Sequence, residues 1–262
     1  MSGNAPATTP NRLRDEILPP VLILVLVLGV WQLAVRALDI PPWLLPAPTD
    51  VVERFFKTNN LWYHTGLTVL EAIAGFLISA ALGVSLSAGI VHSRFLERGV
   101  FPYVIVSNAI PIIAIIPLLT IWFGFGIAPK VMICAIISFF PIVTNTTRGL
   151  KATDRRIIEF MRSINATRWE ILLKVQLPSA LPFIFASFKI AASLALVGAV
   201  VAEFYSSDTG LGYLIITSAT QLRTDLLFVS IVVLAALGIS SFMLFGYLER
   251  MATRGEQVEE TR

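Results

Sequence analysis

LPFIFASFKIAASLALVGAVVAE, residues 181–203, carries a single ionisable side chain, Lys189, before it closes on Glu203. As a helix this stretch rises about 35 Å, enough to cross a hydrocarbon core of about 30 Å. Five further runs have the same character: residues 17–37, 66–91, 100–123, 128–147 and 226–247. Of the 262 residues 56% are hydrophobic and only 14% charged, where a soluble domain holds about 25% charged residues. Water could not cover so much apolar surface. The predicted fold is all-α and integral to the membrane, with six transmembrane helices.

Lysine and arginine set the predicted orientation. With both termini inside, fourteen of the twenty basic residues fall on inner segments. They are Arg12, Arg14, Arg94, Arg98, Arg148, Lys151, Arg155, Arg156, Arg162, Arg168, Lys174, Arg250, Arg254 and Arg262. Five fall on outer segments (Arg36, Arg54, Lys57, Lys130 and Arg223), and Lys189 lies within the fifth span. The bias predicts an N-in, C-in chain. The first run has Asp15 and Glu16 between its basic residues and its apolar stretch, and no small-residue cleavage site follows, so it reads as a span rather than a signal peptide. Residues 1–16 read as a disordered tail, 17–65 as the first span with an outer loop, 66–248 as the core of the bundle, and 249–262 as a second inner tail.

The outer loop begins with Pro41, Pro42, Pro46 and Pro48, which stiffen it. Asp50 with Glu53 reads as an N-cap and its N3 partner, opening a short amphipathic helix with Val51, Val52, Phe55 and Phe56 on one face. Beyond the fifth span, Gly210-Leu211-Gly212 marks a tight re-entry turn. In the third run Pro111 and Pro117 predict a kink.

Within the spans, Gly75, Ser79, Gly83 and Ser87 recur at four-residue spacing, which lets helix backbones approach closely. The fifth span is similarly rich in small residues. Both read as interior helices. Glu71 lies near the expected outer end of the second span, where a carboxylate would reach water, and Glu203 reads as wet. Asn108, Thr144, Asn145 and Ser193 join Glu71 as candidate passage-lining groups, although bonding between helices would explain them equally. Cys134 reads as a small core residue, and His64 and His92 have no metal-ligating neighbours in sequence. No catalytic pair, cofactor site or metal site is predicted, and no nucleic-acid partner.

The inner loop, residues 148–180, has local design. Thr153 or Asp154 caps a helix running to Ser163 or Ile164, with Arg155 and Glu159 at i, i+4. Asn165 falls where a chain leaves a helix through a left-handed residue, the place where Asn best replaces Gly. Thr167 to Glu170 reads as a capping box opening a second short helix, and Leu177-Pro178 as its end. A helix, a sharp turn and a second helix held beneath the membrane suit docking to a partner better than resting on lipid headgroups.

The stretch EFMRSINA, Glu159 to Ala166, followed by Leu177-Pro178, resembles the EAA loop of permeases in binding-protein-dependent ABC importers. Glu159, Ala166, Leu177 and Pro178 match that pattern. Phe160 and Met161 stand where the family has two alanines, and Asn165 where it has glycine. Leu45 to Pro48, Pro117 with Trp122 to Gly124, Phe139 to Ile142, Asn145-Thr146, Ala202 to Phe204 and Gly210 to Tyr213 resemble the nitrate/sulfonate/taurine branch. The likeness covers residues 40–248. It implies a type I permease in the bacterial inner membrane, paired with a second copy. It also implies cytoplasmic ATPase subunits docking on Glu159, Phe160, Met161, Asn165, Ala166, Thr167, Glu170, Leu177 and Pro178. A periplasmic or lipid-anchored binding protein would deliver a sulfonate, nitrate, taurine, pyrimidine or similar solute. The chain has no phosphate-cradling Gly-x-x-x-x-Gly-Lys-Ser/Thr motif, so it is not itself the ATPase. The rival reading is an ion-coupled carrier or channel that uses Glu71 and Lys189 as a charge relay.

Overall fold

The computed structural model describes residues 12–253. Residues 1–11 and 254–262, including Arg254 and Arg262 and most of both expected tails, lie outside them. The described residues form helices joined by short connections. In order they form α1 (Arg12–Ala37), α2 (Pro48–Lys57), α3 (Leu61–His92), α4 (Arg94–Gly99), α5 (Phe101–Ser107), α6 (Ile112–Phe123) and α7 (Ile127–Lys151). There follow α8 (Arg155–Ser163), α9 (Arg168–Ile171), a π-helical turn (Leu172–Gln176), α10 (Leu177–Ser206), α11 (Leu211–Thr220) and α12 (Thr224–Thr253).

Among the described residues five helices are long and apolar enough to cross a membrane, and a sixth candidate span is a bent pair. Arg94–Ser107 and Ile112–Phe123 meet at 101°. The expected kink in the third run is therefore a break. Pro111 causes it: proline offers no N–H to the preceding turn and forces its neighbour out of the helical region. Pro117 sits inside α6 without interrupting it.

By contacts the chain forms two compact units, which α11 and α12 both run through. One comprises the chain up to Asn59 with Ser218–Val229. Here Arg36 pairs with Asp50 at 2.9 Å, Arg54 with Asp225 at 3.4 Å, and the Trp31 and Phe228 rings lie 5.3 Å apart. The cap of α2 differs from expectation. Ala47 is the N-cap and Asp50 is the N3 residue, its carboxylate accepting from the Ala47 N–H at 3.2 Å. Pro48, which needs no N–H partner, takes the first helical position and shifts the start three residues upstream. Glu53 pairs instead with Lys57. Val51 is buried, whereas Val52 and Phe56 remain exposed.

The other unit, Asn60–Thr217 with the chain from Ser230 on, has α3, α7 and α10 at its centre. Small residues permit this. Cys134 of α7 lies between Gly75 of α3 and Gly198 of α10, and a Cβ at Gly198 would stand 3.0 Å from the Cys134 Cα. Ser87 Oγ donates to the Val143 carbonyl at 3.0 Å and Ser138 Oγ to the Ala191 carbonyl at 3.0 Å, so hydroxyls stitch the helices where side chains are too short to interlock. Ala191, Ala195 and Ala199 are fully or almost fully buried. Both spans predicted to be interior are interior.

Candidate functional site: the α8–α9 loop

Leu150, Leu172, Ala180 and Ile184 form an apolar cluster beneath the loop between α7 and α10. Two hydrogen bonds pin the loop to the end of α7: Thr153 Oγ1 donates to the Leu150 carbonyl at 3.3 Å, and Gln176 Nε2 to the same oxygen at 3.4 Å. Asp154 caps α8, accepting from the Arg156 N–H at 2.8 Å. Arg155 and Glu159 pair along α8 at 2.8 Å.

Asn165 has φ +60°. The Ala166 N–H donates to the Met161 carbonyl and the Asn165 N–H to the Arg162 carbonyl, both at 3.0 Å. That double bond is a Schellman ending with Asn in the left-handed position. The next helix starts on a complete capping box. Thr167 Oγ1 accepts from the Glu170 N–H at 3.2 Å, and Glu170 Oε2 accepts from the Thr167 N–H at 2.8 Å.

Leu177-Pro178 does not end this helix, contrary to the reading of the sequence. The chain widens into a π turn over Leu172–Gln176, with the Leu177 N–H reaching back to the Leu172 carbonyl, and runs on into α10. Pro178 cannot donate to the turn before it. A π turn accommodates the missing bond without a break. The second helix of the loop and the fifth span are thus one continuous run, Arg168–Tyr205.

The outward surface of the loop is apolar at its centre and basic beside it. Ile157, Phe160 and Ile164 follow one another at i, i+3, i+7 along α8 and are 46%, 64% and 59% exposed. Trp169 is exposed and stacks on His92 at the end of α3, ring centroids 6.1 Å apart. Between α8, α9 and that helix end lies a cavity of about 670 Å³ lined by His92, Arg94, Arg162 and Arg168 among others. Lys151 pairs with Glu97 at 2.6 Å, joining α7 to α4. Among the described residues no cluster could hold a metal ion.

The five passage candidates do not converge. Thr144 and Asn145 spend their donors on the Phe140 and Pro141 carbonyls of their own helix, both at 2.9 Å. Ser193 does the same with the Lys189 carbonyl. Asn108 stands at the α5–α6 break on a second cavity, of about 580 Å³, with Ile78, Leu82, Met132, Phe139 and Phe140. Nor do Glu71 and Lys189 form a relay: Lys189 pairs with Glu249 and lies over the Phe242 ring.

Glu71 is not at a wet interface. It is 2% exposed and pairs with Lys130, 5% exposed, at 2.8 Å. Glu203 is wholly buried rather than wet. It accepts from Thr68 Oγ1 at 2.7 Å and from the Gly212 N–H at 2.6 Å. Lys130, expected on an outer segment, is interior. Two features contribute: α3 begins at Leu61, five residues before the predicted span, and the 207–212 turn bonds to Lys130 and Glu203. A signal was present, since isolated charges at the edges of apolar runs require partners, but spacing alone cannot pair them.

Residues 79–254 match the family described as the binding-protein-dependent transport system inner membrane component. The chain belongs to this family. The permease is 37% identical over 242 residues to the riboflavin transport system permease protein RibX of Chloroflexus aurantiacus, covering 91% of this chain and 90% of that one. It is 33% identical over 238 residues to the formylaminopyrimidine transport permease protein ThiX of Halalkalibacterium halodurans, covering 90% and 95%. Its fold is similar to that of the inward-facing MetNI methionine ABC transporter, with a TM-score of 0.62 at 22% identity over 74% of this chain and 94% of that one. The permease is therefore a multi-pass inner-membrane component of an ABC importer and not an enzyme: ATP hydrolysis belongs to a separate subunit.

Proposed function

We propose that the α8–α9 loop receives the partner ATPase and that the permease passes a small, uncharged, planar organic solute. The observation that carries the docking reading is the exposed Ile157–Phe160–Ile164 strip on a helix capped at both ends. A partner that closes on ATP can bury that strip, and Phe160 and Met161 widen the contact where the family pattern has alanines. Glu159 holds Arg155 along the strip. Asn165, Ala166, Thr167 and Glu170 fix the angle between the two helices, while Leu177 and Pro178 transmit the motion into α10. The loop faces the cytoplasm in this reading, supported by its seven basic residues and by the withdrawal of Lys130 from the opposite side of the count. Two copies of the permease then enclose one path.

The solute reading rests on the cavity beside Asn108. Its lining is mainly aliphatic and aromatic, with Ser79, Ser107 and Asn108 as its polar side chains and no charged side chain among the described residues. A sulfonate or nitrate would lose its hydration there without a cation to replace it. A flavin or pyrimidine ring, the chemistry named for RibX and ThiX, would keep its stacking surface.

Reconstituting the permease with its ATPase and binding protein in proteoliposomes tests both parts. Deleting 159–170 should leave ATP hydrolysis running without uptake. Uptake that survives the deletion overturns the docking assignment. Riboflavin and formylaminopyrimidine should compete for binding-protein-dependent uptake, and taurine should not. Competition by taurine alone overturns the solute reading.

A further inference from the structure

The buried cluster that joins α3, α7 and α10 has no part in the docking or solute readings, and it presents a charge problem of its own. Glu71, Lys130 and Glu203 are 2%, 5% and 0% exposed. One ammonium cannot neutralise two carboxylates. The other titratable groups around them add no second cation. His64, from α3, accepts the Gly210 N–H on Nδ1 at 2.9 Å, so that nitrogen carries no proton. Cys134, from α7, is a buried thiol. Asp208, on the 207–212 turn, is exposed and could only add negative charge.

The hydrogen bonds are short of one donor at one atom. Glu71 Oε1 accepts from Lys130 Nζ, and Lys130 Nζ also donates to Ser207 Oγ at 2.7 Å. Glu203 accepts from Thr68 and Gly212. Glu71 Oε2 is buried with no partner, and Glu71 stands one turn along α3 from Thr68, whose hydroxyl donates to the Glu203 carboxyl at 2.7 Å. A buried acceptor beside a second carboxyl requires a donor, and two carboxylates sharing one buried site do not both stay ionised. A proton on Glu203, donated to Glu71 Oε2, closes both deficits at once. A sodium ion would satisfy the charge, but it would have to sit beside the Lys130 ammonium.

We propose that Glu71 and Glu203 together hold one proton, and that this site latches the 207–212 turn to the bundle. The turn is tied at four points. Ser207 receives Lys130, the Gly210 N–H donates to His64 Nδ1, the Leu211 N–H donates to Thr68 Oγ1 at 2.8 Å, and the Gly212 N–H donates to Glu203. Gly210, at φ +104°, has no room for a side chain because a Cβ there would collide with the Glu203 carboxylate. Loss of the proton leaves an uncompensated negative charge inside the cluster, and the turn then comes loose.

Infrared difference spectroscopy on the full-length permease in nanodiscs reads the proton directly. At neutral pH the wild type should show the carbonyl band of a buried protonated carboxyl, and Glu203→Gln should lack it. Glu203→Gln keeps an acceptor for Gly212 and an N–H donor for Glu71, so it is expected to fold. Glu71→Gln should also remove the band, because Glu203 then ionises opposite Lys130. Lys130→Met should roughly double it, since neither carboxylate then has a counter-charge. Raising the pH should abolish the wild-type band and, in parallel, speed amide exchange over 207–212. Absence of a band that Glu203→Gln removes would overturn the proposal, as would a band that appears only when choline replaces sodium.

Discussion

The 207–212 turn and the α8–α9 loop are both short connections rich in polar side chains, and they are held by opposite means. The turn is fixed mostly from outside itself, beyond the Ser207–Thr209 bonds within it: Lys130, Thr68 and Glu203 reach it from three different spans, all buried. The loop is fixed mostly from within, by the Asp154 cap, the Asn165 ending and the Thr167–Glu170 box. Thr153, Gln176, the apolar cluster beneath the loop and the His92 contact bind it to the spans. The difference shows what burial does to the same chemistry. In water a charge can be traded for solvent, and each cap contributes modestly. In the bundle a charge has no substitute partner, so each member of the network depends on all the others. α3 connects the two regions as one rigid helix of about 48 Å, with Thr68 near one end and His92 at the other.

Breaking the buried side should have the largest effect. Lys130→Ala leaves Glu71 and Glu203 without a counter-charge, and removing one partner of a buried pair costs about 3–5 kcal/mol. Thermal unfolding in detergent should show a large fall in Tm. Equality with the loss from Thr167→Ala would remove the distinction between the two regions.

Gly210→Val comes next. It places a branched side chain at φ +104° against the Glu203 carboxylate, a conformation costing about 1–3 kcal/mol in strain before the collision is counted. The matching change in the loop, Asn165→Gly, should be close to neutral, because φ +60° suits glycine at least as well as asparagine. Measured side by side, the two substitutions ask whether positive φ or burial sets the cost.

Thr167→Ala removes one cap, worth about 1 kcal/mol. Its effect should be local: faster amide exchange over 168–171 with little change in global Tm. A global shift would mean that the loop and the spans unfold as one unit.

The smallest effect on stability should come from Glu159→Ala. Arg155 is 90% and Glu159 58% exposed along their side chains, and exposed pairs contribute little. Tm should be unchanged while uptake per ATP falls. A drop in Tm without a change in coupling would make Glu159 structural and undo its docking role.

Legibility in the sequence followed the same division. The loop was readable nearly residue by residue, because caps and helix endings are set by neighbours a few positions apart. Asn165 and Thr167 take the predicted roles, and Asp154 is the cap of the two residues offered for it. The spans were readable from hydropathy, since a lipid solvent demands about 20 apolar residues whatever their neighbours. Errors arose where one proline had two possible outcomes. Pro111 breaks the third run at 101°, and Pro178 is absorbed in a π turn. Which happens depends on whether packing fills the gap.

By itself, then, the sequence determined the solvent, the number of apolar runs, the build of the α8–α9 loop and the absence of an ATP-binding motif. Each of these follows from composition or from contacts within a few residues. Only the tertiary structure decided that Glu71, Lys130 and Glu203 meet, that Lys130 is interior, and that Asn108 alone of the polar candidates reaches the apolar cavity. Residues 59 to 135 positions apart pair there, and no local periodicity encodes a partner at that distance. A buried charge states that it needs a partner, and the packing of three helices chooses which one.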